Sequence, residues 1–564
     1  MKDLFRWLDG HPEAYWIGAY MTIAITAVWV VHSFTQRGRG IDPFKHGAIT
    51  GFILLAVILA WRWPFTLATS ELNPDEGQLI AGAITLAEDP VFWRSVDGTT
   101  SGPLNFQVLL PTHWLGIPQD FFNARLTGLL LIWSALWAGF GLLQSAYGPA
   151  LGLLGSMPAL AFFATASSRD FIHYSSEHVS LALVMISAWL LWTAQQGRSP
   201  GHGPSRGRWL AAGLFLGLLP WAKLQSAPLA VALAGWGTWL ALRQAELPLH
   251  TRWRTVARLA GAALAPSIVY LSVTLIFGQG EHFYRGYIEN NVIYASSDFT
   301  LLAALEKLYE ASLYIGDYPA FAIGPALTLA AFAIALAARL QRPDPLFYAG
   351  ATMTAAAAIA VLAPRHGFQH YLLFTILPLS WWSAAALNGL FTAVDSSQKR
   401  VVLGLAFALV SVGLPVAVRS KYAPSFMHGQ FLESWRNPYS EPSRLIRLHR
   451  QPGDRLALWG WNNQLYVETQ LPQATRESHS TRQIWESSQR DSYYRPRYME
   501  DLRRNTPAFF VDAVGPDSFF FSDRLESAHE TFDELRDHLA AHYVLIEDFG
   551  PLRVYFRRDR LPRG

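Results

Sequence analysis

The chain has 564 residues, of which 51% are hydrophobic, 14% aromatic and only 15% charged, and its mean hydropathy is +0.17. A soluble domain carries about a quarter charged residues, so a disordered chain, a fibrous repeat and an ordinary soluble enzyme are excluded. The net charge of +3 is too small to argue for nucleic acid, and the lack of cysteine excludes disulfides and thiolate metal sites.

Charge is unevenly placed. Residues 419–564 hold 21 Lys and Arg and 20 Asp and Glu, out of 45 and 42 in the whole chain. Residues 1–418 therefore read as a transmembrane domain and 419–564 as a soluble one. The opening Met1-Lys2-Asp3-Leu4-Phe5-Arg6 lacks a signal-peptide cleavage pattern, so the first apolar segment is expected to be retained. A membrane helix needs about 20 apolar residues. Candidates lie near 14–33, 47–67, 121–145, 149–166, 177–195, 208–222, 226–242, 257–277, 319–338, 346–363, 371–392 and 400–418, with 149–166 and 208–222 notably short. The fold class expected is a mainly α, polytopic transmembrane bundle of about twelve helices, with loop helices and a small C-terminal α/β domain.

Basic residues in short loops set orientation. Arg37, Arg39 and Lys45; Arg198, Arg206 and Arg208; Arg243, Arg252 and Arg254; Arg339 and Arg342; and Lys399 and Arg400 fall on one side if all twelve helices cross. That side is expected to be cytoplasmic. The loops 68–120 and 278–318, the turns near 167–176, 223–225 and 364–370, both chain ends and the C-terminal domain are then expected outside. This is the periplasm if the membrane is the inner membrane of a Gram-negative bacterium. The cytoplasmic loops leave no room for a nucleotide-binding domain and no P-loop pattern occurs, which argues against an ATP-driven pump.

The polar residues expected outside come in clusters. In Glu71-Leu72-Asn73-Pro74-Asp75-Glu76-Gly77-Gln78-Leu79, Asn-Pro ends a membrane helix and 74–87 reads as a surface helix. Asp75 and Glu76 could be a general base and a neighbour that orients substrate. They could equally be ordinary acids at the positive end of a helix dipole. A Gly- and Pro-rich loop, Asp97-Gly98-Thr99-Thr100-Ser101-Gly102-Pro103-Leu104-Asn105, follows. Next comes Ser168-Arg169-Asp170-Phe171-Ile172-His173-Tyr174-Ser175-Ser176-Glu177-His178 between two apolar segments. Ionisable groups at that boundary are costly unless paired or wet, and a snorkelling anchor needs one Arg rather than this cluster. Lys223 is either an interfacial Lys beside Trp221 or a point charge for a lipid phosphate. In Pro364-Arg365-His366-Gly367-Phe368-Gln369-His370-Tyr371, the residues Arg365, His366 and His370 could bind a phosphate or diphosphate.

Asp75-Glu76, the Gly102-Pro103-Leu104 loop, the cluster ending in Glu177, Lys223, and Phe368-Gln369-His370-Tyr371 occur in this order. The chain thereby resembles the GT-C superfamily of integral membrane glycosyltransferases. The nearer resemblance is to the bacterial branch of protein O-mannosyltransferases and aminoarabinose transferases. Arg455-Leu456-Ala457-Leu458-Trp459-Gly460-Trp461, Tyr466 and Ala474-Thr475-Arg476 also look like segments that follow the last helix in bacterial members. The likeness spans most of the chain, though no single motif is long.

The resemblance implies an inverting enzyme that takes a hexose or pentose from a polyprenyl-phosphate donor on the outer face. The acceptor would be a glycolipid, a glycan or a protein, and membrane lipids would surround the site. Asp75 would be the base or activator, with Glu76 beside it, and Glu177 would match the second acidic position, where many relatives have Asp. Arg94, Arg169, Asp170, His173, Lys223, Arg365, His370 and Tyr371 would bind substrate. Aminoarabinose-transferase-like members carry a Lys before Pro-Pro-Leu, where this chain has Ser101-Gly102-Pro103-Leu104. Donor identity therefore does not carry over, and Arg94, Lys223 or Arg365 could supply the missing cation. No cofactor is assigned. A divalent metal on Asp75, Glu76 and Glu177 is left open, without a spacing rule to support it.

Two other readings stand beside this one. A flippase or transporter of a lipid-linked sugar would place charges and helix breaks near mid-membrane, often in repeated halves. A glycan polymerase or ligase would use a diphosphate-linked donor and outer-face cations.

The outer loop 278–318 contains the polar run Glu281 to Asn291 and an amphipathic stretch at 301–314, a gate over the donor or a helix lying on the bilayer. Beyond 420, strands are expected at 455–460, 508–514, 543–546 and 552–556, with helices near 497–505 and 527–541. This small domain would cover the active site, bind acceptor, or serve only as a structural cap with no direct role.

Overall fold

A computed structural model describes residues 7, 11–35, 43–196, 205–296, 300–339, 341–427, 438–486 and 493–561. Arg37, Arg39, Arg198, Gly564 and the first six residues, used in the orientation argument, lie outside the described residues. All twelve expected segments are helical. Nine helices among the described residues are long and apolar enough to cross a membrane: Glu13–Phe34, Phe44–Leu67, Phe121–Tyr147, Glu177–Gln196, Leu249–Ile276, Asp317–Ala337, Pro345–Leu362, Gln369–Ala393 and Ser397–Tyr422. The other three, Pro149–Thr165, Arg206–Ala222 and Ala227–Leu242, have 17, 17 and 16 residues. The protein is a multi-pass membrane protein.

The chain divides into two compact units. The first comprises Met1–Leu67, Leu126–Tyr270 and Val292–Leu432, and the second Ala68–Arg125, Leu271–Asn291 and Glu433–Gly564.

The first unit is the helical bundle. Its helices meet through small residues, because apolar burial gives little drive between helices in lipid and close van der Waals approach matters more. A Cβ on Gly155 would lie 2.4 Å from the Ala384 side chain, and one on Gly217 would lie 2.0 Å from the Ala263 carbonyl oxygen. Ile268, Val269, Val402, Leu405 and Leu409 are exposed on the outer surfaces of two spanning helices, as lipid-facing positions should be.

The second unit is built on a four-stranded sheet: β1 (Leu456–Gly460), β2 (Phe509–Ala513), β3 (Tyr543–Asp548) and β4 (Arg553–Arg557). The order is β1-β2-β4-β3, with β1 parallel to β2 and the other pairs antiparallel. All four strands fall within or beside the strand-like runs expected from the sequence. Successive side chains point to opposite faces. Leu456, Leu458, Phe509, Val511, Val554 and Phe556 make one core with Ala81 and Ile446; Ala457, Trp459 and Phe510 make the other with Tyr498, Leu502, Leu535 and Leu539. The edge strand β3 carries Glu547 and Asp548 and a register shift between Leu545 and Glu547, features that discourage pairing with another chain.

The helix Pro74–Glu88 corrects an expectation. It is not a surface helix: residues 76–86 are all buried. Leu79, Ile80, Ala81, Ala83 and Ile84 are distributed all round the helix, and such a helix belongs inside a domain. Gly77 and Gly82 let neighbours close in, Gly77 under Glu71 and Asn463, and Gly82 under Phe106.

Candidate functional site

The residues singled out by sequence fall into two groups, one in each unit.

In the first unit, the segment 166–176 is fixed by charges from three spanning helices. Arg62 donates to the carbonyls of Phe163 (3.0 Å) and Ile172 (2.9 Å). The Asp317 carboxylate accepts from the backbone N–H groups of Ser167 (2.8 Å) and Ser168 (2.7 Å). Arg419 donates to Ser167 Oγ (3.2 Å) and to the Tyr15 hydroxyl (2.9 Å). Ser168 Oγ donates to Gln369 Oε1 (2.8 Å), which ties this segment to the turn at 364–372. Polar backbone between apolar helices must be satisfied internally, and these side chains do so.

That frame presents Glu177 at the start of its helix. Glu177 is fully buried; Lys223 Nζ lies 2.5 Å from its Oε1 and 2.9 Å from Ser176 Oγ, and Ser175 Oγ donates to its other oxygen. Lys223 follows Pro220-Trp221-Ala222 at the end of its helix, in extended conformation. Its ammonium also sits 4.9 Å from the centroid of the Tyr371 ring. Tyr371 meets the hydroxyl of Tyr294 at 2.7 Å, and His370 packs edge-on to His173, ring centroids 6.0 Å apart. His173 Nδ1 is 2.9 Å from the Arg169 carbonyl, and His366 Nε2 is 2.9 Å from the Tyr294 carbonyl. Burial pulls the His366 imidazole below its ordinary range. Glu177, Lys223, His173, His370 and Tyr371 are thus brought into one chain of contacts. Arg169 and Arg365 have exposed side chains, Asp170 is half-buried beside Arg169, and Arg365 has a left-handed backbone with φ 57°.

In the second unit, Asn73 caps the helix by accepting from the Asp75 N–H (3.0 Å), with Pro74 in the first turn. Glu76 is fully buried and takes both forks of Arg125, Nε at 2.8 Å and Nη2 at 2.6 Å. Arg125 donates onward to the carbonyls of Ala68 and Ser70. Asp75 is half-buried, and its carboxylate has no hydrogen-bond or ion-pair partner among the described residues. Glu71 lies close by, its Oε1 buried without a partner. Burial, reinforced by the negative charge of Glu76, raises its carboxyl well above the usual range. Arg94 is bound by Asp89, with Nη2 2.5 Å and Nε 3.0 Å from the two carboxylate oxygens.

Sequence reasoning overlooked Arg125, Glu71, Arg62 and Asp317. Arg62 and Arg125 were the more visible, because each is a lone charge in an apolar segment and such charges are rare without a partner.

Two of the three carboxylates considered for a divalent ion, Glu76 and Glu177, are already engaged. Both oxygens of Glu76 accept from Arg125, and those of Glu177 accept from Lys223 and Ser175. Among the described residues, one cluster has metal-ligand spacing, Asp512, His529 and Glu530. There Asp512 Oδ2 already takes Arg524 (2.8 Å) and His529 Nδ1 (2.5 Å).

No protein-family model matches the chain, and no curated protein matches it. Solved structures do. ArnT from Cupriavidus metallidurans bound to undecaprenyl phosphate aligns with a TM-score of 0.55 at 13% identity, covering 92% of this chain and 98% of that one. ArnT from the same organism in the apo state aligns at 0.53 and 13%, covering 90% and 98%. The Archaeoglobus fulgidus oligosaccharyltransferase complex with Zn and sulfate aligns at 0.39 and 12%, covering 83% and 68%, too low to support any inference. The chain has the fold of ArnT, which is the GT-C fold that its motifs resembled.

Proposed function

We propose that the protein is a membrane glycosyltransferase that moves a sugar from a polyprenyl-phosphate donor to an acceptor hydroxyl, with inversion. The observation that carries this reading is the contrast between two adjacent acids. Glu76 is saturated by Arg125, while Asp75 keeps a carboxylate free to accept a proton. Asp75 takes the proton of the acceptor O–H as that oxygen bonds to the anomeric carbon. The bond from the anomeric carbon to the phosphate oxygen breaks, and its electron pair leaves on polyprenyl phosphate. A correctly placed base of this kind contributes about 100- to 10,000-fold in rate.

Charge that develops on a leaving phosphate is stabilised by fixed donors. Lys223, His370, His173 and Tyr371 supply them in the first unit, with Arg169 and Arg365 as exposed cations nearby. Glu177 holds Lys223 in place; its role in this reading is to position the ammonium. ArnT, which shares the fold, was crystallised with undecaprenyl phosphate, and this supports a lipid phosphate as the leaving group. The face used is the outer one by the charge distribution of the loops.

Incubation of the purified protein with a polyprenyl-phosphate sugar tests the assignment. Release of polyprenyl phosphate on addition of acceptor is expected. A donor left intact while crossing the bilayer would replace the enzyme by a transporter.

A further inference from the structure

The second unit has a cleft of about 510 Å³ remote in sequence from Asp75, between two helix ends and the edge of the sheet. Arg503 comes from the last turn of the helix Tyr494–Asn505, and His538 and His542 come from the helix Asp533–His542. Arg557 ends β4, where the register sets it opposite Tyr543, and Arg558 follows it in the next turn. Leu502, Thr506, Ala541, Tyr543 and Asp559 complete the wall.

Cations at helix C-termini are ordinary, since they complement the dipole. That accounts for Arg503 and His542. It does not account for Arg557 and Arg558, which arrive from a strand end and the turn after it and converge on the same space. The cations outnumber the acids. Arg503 pairs with Glu534 at 2.5 Å, and Arg557 with Asp559 at 2.6 Å. Arg557 also donates to the Thr506 carbonyl, and among the described residues the Arg558 guanidinium donates to the Ala540 carbonyl alone, at 3.2 Å. The two imidazoles have no hydrogen-bond partner among the described residues, and their ring centroids are 4.7 Å apart. Burial, then His542 and Arg503, lower the His538 imidazole against the opposing pull of Glu534. The local field is therefore positive.

We propose that this cleft binds a phosphomonoester, held by Arg557 and Arg558 with His538 and His542 at its other side. Arginine forks match phosphate oxygens in pairs, and the apolar floor accommodates the body of a sugar or a glycerol. The phosphate could belong to a soluble sugar phosphate or to a lipid head group. The proposal does not depend on the glycosyl-transfer reading.

The test uses the full chain in detergent with labelled histidines. Titration with inorganic phosphate should move the ring signals of His538 and His542 saturably. Arg558→Gln, which gives up one carbonyl contact, should weaken binding about tenfold, as loss of a charge-assisted contact requires. Asp559→Asn removes the competing carboxylate and should tighten binding, a gain that misfolding cannot imitate. Glucose 1-phosphate and dihexanoyl phosphatidate should both displace phosphate, and the tighter of them identifies the source. Unmoved histidine signals, native affinity in both variants, or failure of both competitors would overturn the proposal.

Discussion

Glu76 is buried and forked by Arg125, whereas the Asp75 carboxylate, two positions into a buried helix, has no partner among the described residues. Conservative changes at the two residues should therefore fail in different ways. Asp75→Asn should keep the thermal midpoint and lose turnover. Glu76→Gln should lower the midpoint, because breaking a buried pair typically costs about 3–5 kcal/mol, and any loss of rate should follow from that. Glu71 adds a check on this reading. Its carboxyl is raised well above the usual range by burial and by Glu76, which favours the protonated form. Glu71→Gln should then be nearly silent in a thermal melt alone, yet worsen Glu76→Gln, where Glu71 would otherwise ionise to balance Arg125. A large loss from Glu71→Gln alone would show that Glu71 is charged. The acid pair itself was legible in the sequence; the difference between its members was not, because Arg125 lies 49 positions away and only the fold brings it to Glu76.

At the scale of elements, long apolar runs and alternating strands were readable, and the twelve helices and four strands fall where they were expected. The burial of Pro74–Glu88 was not readable, since apolar residues all round a short helix do not say what covers them. The strip at 473–483 is another such element. It is polar in composition, yet nearly all of it is buried. Arg476 Nη1 donates to His282 Nε2 at 2.8 Å, so that nitrogen carries no proton. Burial, then Arg476 and Arg497, pull His282 down to about 4, and burial with Arg482 pulls His479 down to about 3. Asp501 opposes them in part, raised by burial to about 6. A histidine with a depressed folded value contributes stability above its ordinary value of 6.5 and loses it as pH falls toward the folded one. The two histidines therefore contribute a loss of stability as pH falls from about 6.5 toward 4, against which Asp501 and Glu71 work. Thermal melts across that range should show His282→Gln flattening the decline; an unchanged slope would remove His282 from the effect. In the first unit, Lys223→Met strands the Glu177 carboxylate and should destabilise the bundle. Lys223→Met with Glu177→Gln should recover the fold while leaving donor binding weak. Full donor affinity in the double variant would exclude Lys223 from the phosphate site.

For the whole molecule, the basic loops predict that the Arg206, Arg208 and Arg243–Arg254 side faces the cytoplasm and that the C-terminal domain is outside. A reporter active only in the cytoplasm should stay silent when fused after Gly564, and activity there would overturn the orientation. On the proposed reading, Asp75 is the residue on which the chemistry depends. The most direct measurement is single-turnover cleavage of a polyprenyl-phosphate sugar, with acceptor present, by the wild-type protein and by Asp75→Asn. The account predicts inverted product from the wild type, unchanged donor binding in the variant, and a rate about 100- to 10,000-fold lower. Turnover near the wild-type rate in Asp75→Asn would contradict it.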